Sequence, residues 1–181
     1  MCSSDLTQQG NNNAYNQDNE ISWVDWNVGV RERELTDFVR KLTSLRHRYP
    51  ILRRNRFLTG QNDEELQVRD LTWINATGEP MREEDWKDER MRCFGMLIDG
   101  RARLTGLPQR GVEATMLLVL NGYHDLVEFV LPPDGPQAQW QLLIDTNLSQ
   151  LEDLPCFGPG TAYGVTGRSL LLFELRGGVG S

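Results

Sequence analysis

The sequence predicts a mostly β protein: an antiparallel β-sandwich from about residue 61 onward, preceded by a loop and a single helix. Three observations predict it. Apolar residues recur at helical spacing only between Leu35 and Tyr49. After Gln61 the period switches to that of strands. From there six to eight short apolar runs follow one another, separated by turn signals roughly every ten residues, with no helical segment between them.

Residues 1–27 carry almost no periodicity and read as a loop. The helix follows. Leu35, Phe38, Val39, Leu42, Leu45 and Tyr49 form one apolar stripe, with Glu32 and Glu34 near its start and Arg46, His47 and Arg48 near its end. That charge order suits the helix dipole. Pro50 forbids continuation and pushes Tyr49 out of the helical region. Leu52 to Gly60 is basic and irregular through Arg53, Arg54 and Arg56, and reads as a solvated linker rather than a phosphate site in so acidic a chain.

The first strand runs from Leu66 to Ile74 and ends at the Gly78-Glu79-Pro80 turn. Arg82 to Trp86 forms one helical turn, and Arg92 to Ile98 is a strand closed by Asp99-Gly100. Thr115 to Leu120, nearly all apolar, is the expected central strand buried on both faces. A hairpin turn over Gly122–Asp125 leads to a strand from Leu126 to Leu131, stopped by Pro132-Pro133. Trp140 to Ile144 and Ser169 to Leu175 are further strands, and Tyr163 to Val165 fits a short edge strand.

With 181 residues the chain is long enough for one domain, or a domain with an appendage. A net charge of −7 argues against nucleic acid or an anionic membrane as partner. Cys2, Cys93 and Cys156 have no framework spacing and read as buried or idle thiols in a reducing, cytoplasmic compartment. No apolar run approaches a membrane span, and MCSSDL lacks the basic and apolar parts of a signal peptide.

The segment that carries chemistry is Gly10 to Trp26, GNNNAYNQDNEISWVDW. Short amides and carboxylates bond hydroxyls in both directions, and flat rings stack on the apolar face of a sugar. The competing reading is an Asn-rich turn whose amides bond their own backbone, followed by packing tryptophans. Other patterns give less. His47 lies in an arginine-rich helix end and His124 in a turn, both exposed by expectation. There is no CxxC pair, and Gly158-Pro159-Gly160 lacks the Lys and the following helix of a phosphate loop. No catalytic residue, metal or cofactor is expected from the residues themselves.

TQQGNNNAYNQDNEISWVDW resembles the segment after the eighth barrel strand of bacterial glycogen debranching enzymes, isoamylase-like members of the α-amylase superfamily. It departs from their pattern at Asn16, where a cysteine is usual, and at Leu6, where an arginine is usual, so the likeness begins at Thr7. DLTWINATGEPMREEDW, with Trp73, Gly78, Glu84 and Trp86, resembles the start of their C-terminal domain. LLVLNGYHDLVEFVLPP, with Asn121 and Leu131-Pro132, resembles two of their strands paired around a turn, and SLLLFEL resembles their last strand.

The resemblance implies two parts. Residues 1–60 would hold the last loop and helix of a (β/α)8 barrel, residues 1–6 being an incidental start, and residues 61–181 the complete C-terminal sandwich. The family hydrolyses α-1,6 branch linkages in glycogen or limit dextrin, so an α-glucan is the implied partner. Its nucleophile and acid lie at barrel strands four and five, with a third Asp after strand seven, all upstream of this chain. The chain is therefore expected to be inactive alone. In a barrel enzyme the strand-end loops build the active site, which implies that Asn11, Asn12, Asn13, Tyr15 and Asp18 rim the glucan cleft. Trp23 and Trp26 are expected to pack under the helix, and Trp73, Trp86 and Trp140 to lie scattered on strands. The helix stripe, with no barrel to cover it, is an expected association surface. A stand-alone glucan-binding sandwich and one chain of a split enzyme are the alternatives.

Overall fold

The computed structural model describes residues 18–20, 22, 23, 26, 28–54, 57–63, 68–100, 114–133, 137–148 and 154–177. The chain divides into two units, Met1–Arg48 and Tyr49–Ser181.

In the first unit the expected helix is present as α1, Val30–Arg48, longer than its stripe by one turn at the N-terminal end. Thr36 and Thr43 return their hydroxyls to the carbonyls of Glu32 and Val39, each one turn earlier. Leu35, Phe38 and Leu45 are half-buried, whereas Val39 and Leu42 are exposed, and no α1 residue is fully buried.

Tyr49, counted at the end of the stripe, leaves the helix. Its backbone is extended, with φ −110° and ψ 101°, as the Pro50 ring requires. It is fully buried in the second unit, where its hydroxyl donates to Glu174 Oε2 at 2.6 Å. Arg176 Nη2 meets the same oxygen at 2.7 Å. Two donors are what make a buried carboxylate tolerable at that position.

The second unit is mostly β. After a 3-10 turn at Pro50–Arg53 come β1 (Asn62–Asp63), β2 (Val68–Arg69) and β3 (Leu71–Asn75), then α2 (Glu83–Lys87) and β4 (Cys93–Asp99). β5 (Thr115–Asn121), β6 (Val127–Val130), β7 (Gln139–Asp145), β8 (Cys156–Phe157), β9 (Ala162–Val165) and β10 (Ser169–Arg176) complete it. One antiparallel sheet has the order β3-β4-β5-β10-β7-β8, a second pairs β6 with β9, and β1 pairs with β2. The two larger sheets enclose one core. Leu117, Val119, Leu171, Phe173, Trp140 and Leu142 from the first meet Phe129 and Val165 from the second. β5 lies between β4 and β10, with Met116, Leu117 and Val119 at zero exposure, as its unbroken apolar run predicts. Gly95 on β4 is required by close packing. A Cβ there would lie 2.8 Å from the tip of Phe129 and 3.1 Å from a Leu117 methyl.

Two expectations need correction. The run Leu66–Ile74 is not one strand: β2 and β3 are separated at Asp70. The Asp70 carboxylate is buried and accepts the backbone N–H groups of Thr59 and Gly60 at 3.0 and 2.7 Å, so this residue caps the preceding segment instead of continuing a pleat. The Gly122–Asp125 turn does not close a hairpin. β5 and β6 belong to different sheets, and the segment between them crosses from one sheet to the other. Asn121 explains the crossing. Its buried amide donates to the carbonyls of Asp125, Val165 and Thr166 at 2.9, 3.0 and 3.1 Å, and its carbonyl accepts the Tyr123 N–H at 2.9 Å. Gly122 N–H donates to Arg92 O at 2.8 Å, which ties the crossing to the start of β4.

Candidate functional site

Asn11, Asn12, Asn13 and Tyr15 lie outside the described residues. Asp18 is exposed and accepts the indole N–H of Trp23 at 2.9 Å. Next to it Ser22 and Trp23 both donate their backbone N–H to Asn19 O, which makes a short turn. Trp23 and Trp26 do not pack: they are 59% and 78% exposed. Trp23 uses its indole N–H on the exposed Asp18.

Of the sandwich tryptophans, Trp73 and Trp140 stand on strands as expected, on β3 and β7, whereas Trp86 lies on α2. Trp140 is buried and donates to Pro132 O at 3.0 Å. Trp73 and Trp86 are not scattered. Their rings meet edge to face with centroids 5.5 Å apart, because α2 carries Trp86 back over β3. Phe94 on β4 adjoins Trp73 at 5.8 Å. Both His47 and His124 are exposed, as expected.

The buried carboxylates have structural partners. Asp70 holds the 59–60 backbone. Asp145 accepts Asn147 N–H at 2.8 Å and Tyr163 O–H at 3.1 Å. Burial, reinforced by the Asp145 charge and hydrogen bond, pushes the Tyr163 hydroxyl up to about 12. Glu174 is held by Tyr49 and Arg176. Among the described residues no group of three or more His, Cys, Asp or Glu could hold a metal ion.

One cleft of about 320 Å³ opens on the second unit, within the usual size of a small-ligand site. One wall is the segment from α2 into β4. Asp85 accepts Arg82 N–H at 2.7 Å and so caps the start of α2. Asp88, just past its end, accepts the backbone N–H of Arg90 at 2.9 Å and Arg90 Nε at 3.3 Å. These bonds, first the backbone one and then the guanidinium, hold the Asp88 carboxyl below the usual range, so it is ionised at neutral pH. Arg92 lends its guanidinium to the carbonyls of Glu89 and Met91 and shapes the bend before β4. The opposite wall is Tyr123 and Val127, placed by the Asn121 crossing. Ala76 and Met91 add apolar surface, and Asn75 an amide. Cys93, buried, closes the inner side, and burial pushes its thiol up to about 11, which keeps it protonated and inert at neutral pH.

Sequence reasoning passed over this cleft. Arg82 to Trp86 reads as one helical turn, Arg92 as the start of a strand, and Tyr123 as part of a hairpin turn. The available signal was the density of both charge signs in EEDWKDERMR, which meets GYHD only because the chain crosses between sheets.

Residues 70–174 match the isoamylase C-terminal family. The chain belongs to that family. The match begins at the buried Asp70 and ends at the buried Glu174, so it takes in the cleft and nearly the whole of the six-stranded sheet. A glycogen operon protein GlgX homolog of Mycobacterium bovis is 38% identical over 176 residues, covering 93% of this chain and 24% of the relative. The glycogen debranching enzyme of Escherichia fergusonii is 31% identical over 137 residues, covering 76% of this chain and 17% of the enzyme. The chain thus spans about a quarter or less of these relatives. Among solved structures, a pullulanase from Bacillus acidopullulyticus superimposes with a TM-score of 0.58 at 15% identity, over 93% of this chain and 17% of that one. The sandwich of this isoamylase C-terminal domain is therefore a fold shared with pullulanase.

Proposed function

We propose that this chain works as the C-terminal portion of a glycogen debranching enzyme, which hydrolyses α-1,6 branch linkages in glycogen or limit dextrin. The observation that carries this reading is the family match over residues 70–174, joined to 31–38% identity with glycogen debranching and GlgX relatives. In this reading residues 1–60 are the final loop and helix of a (β/α)8 barrel and residues 61–181 the C-terminal domain. The α1 stripe at Leu35, Phe38, Val39, Leu42 and Leu45 then packs against that barrel, and the exposure of Val39 and Leu42 supports it. Asn11, Asn12, Asn13, Tyr15 and Asp18 form one wall of the glucan cleft. The exposed side chain of Asp18 is compatible with that role. The enzyme is cytoplasmic; the free thiols of Cys93 and Cys156 fit a reducing compartment.

The 181 residues by themselves hydrolyse nothing in this reading, since the nucleophile and acid reside on barrel strands. Purified chain is expected to release no maltooligosaccharide from phosphorylase limit dextrin. A chimaera in which residues 7–181 replace the matching segment of the Mycobacterium bovis GlgX homolog is expected to debranch it. An inactive but folded chimaera, or release of product by the chain alone, contradicts the proposal.

A further inference from the structure

We infer that the cleft between the α2–β4 segment and the β5–β6 crossing is an α-glucan-binding site in its own right, separate from the loop at residues 10–26. The glucan identity rests on the debranching reading, and the cleft itself on its geometry. Its charged groups balance: Asp85 and Asp88 line it together with Arg90 and Arg92. An anion entering would meet two carboxylates, and a cation two guanidinium groups. A neutral polyol meets neither penalty and can use both, because each hydroxyl donates to a carboxylate and accepts from a guanidinium.

The hydrogen bonds leave capacity for such a ligand. Asp88 uses only Oδ1 among the described residues, and its Oδ2 has no partner there. Arg90 engages Asp88 through Nε, leaving its two terminal nitrogens without partners among the described residues. Tyr123 presents a 39% exposed ring at the rim, propped by the imidazole of His124 with centroids 4.1 Å apart. An exposed ring beside paired donors and acceptors is the arrangement that holds a pyranose by its apolar face and its hydroxyls together. Ala76, Met91 and Val127 give the ring-sized apolar surface between them. The parts are also fixed beforehand: Asn121 anchors the Tyr123 wall and Gly122 N–H locks it to Arg92 O, so little order is lost on binding.

The test is amide-resolved NMR titration of the 181-residue chain with maltoheptaose. Saturable shifts are expected at residues 75–76, 85–92 and 122–127. Tyr123→Ala and Asp88→Asn should each weaken binding by about tenfold, and both positions are exposed, so an unchanged spectrum without ligand checks the fold. Glu34→Gln, at an exposed position of α1 outside both the cleft and residues 7–26, should leave the affinity unaltered. Shifts confined to residues 7–26 or to Trp73 and Trp86 overturn the inference. So do equal shifts with inorganic phosphate, or none with maltoheptaose. Failure here with an active chimaera removes the cleft and keeps the debranching reading. An inactive chimaera with maltoheptaose bound at these residues does the reverse, and points to a stand-alone glucan-binding domain.

Discussion

At the scale of single residues the polar groups of the interior were the least legible part of the sequence. Asp70 and Glu174 stand in runs that read as strand and Asn121 directly after one, and nothing in their neighbours says that each is turned inward. Their partners, Thr59 and Gly60, Val165 and Thr166, and Tyr49, are distant in sequence or lie across the fold. The cysteines read as buried or idle thiols, and the two described ones are free but differ in exposure. Cys93 is 4% exposed, and Cys156 stands on the edge strand β8, exposed. Alkylation of the native protein at pH 8, followed by peptide mapping, should label Cys156 and spare Cys93 until denaturant is added. Equal rates at both would contradict the burial. Because folding raises the Cys93 thiol from 9.0 to about 11, the folded state favours the protonated form. Its contribution to stability is full below pH 9 and is lost as pH rises through about 11. Denaturation midpoints measured across that window should fall less steeply for Cys93→Ala than for the native chain.

At the scale of elements, what was legible is what periodicity can carry. α1 is a stripe of 3.6-residue spacing, and β5 and β10 are apolar runs long enough to be seen against any background. β1 and β8 are two residues each, shorter than any pattern, and their existence depends on partners supplied by β2 and β7. The mistaken hairpin has the same origin. A turn signal says where the chain bends but not which sheet the next strand joins, and here Asn121 decides that through bonds to the β9 side. Gly95 shows how tightly the result is packed. A methyl group at that position would meet Phe129 at 2.8 Å and Leu117 at 3.1 Å, both at zero exposure and unable to retreat. Gly95→Ala should therefore cost about 1–3 kcal/mol, in spite of the better strand propensity of alanine. Urea unfolding checks it, and a change within experimental error would mean that the two sheets can part locally.

At the scale of the molecule, the two units differ in how their apolar surface is used. β10 is hydrogen-bonded on both sides, to β5 and to β7, and carries Leu171 and Phe173 at zero exposure. α1 contains no fully buried residue and leaves Val39 and Leu42 open. A helix gains most of its stability from burying its apolar face, so the free energy of opening should be far lower for α1 than for the central strands. Hydrogen exchange on the isolated chain is expected to show amides of Val30–Arg48 exchanging faster than those of Thr115–Asn121 and Ser169–Arg176. Uniform protection across both units would refute this. The same measurement on the chimaera with a complete barrel discriminates further. If the stripe is the barrel's last helix, protection of Leu35, Phe38, Leu42 and Leu45 should rise selectively there, while the strands of the sandwich, already closed on their own core, should change little.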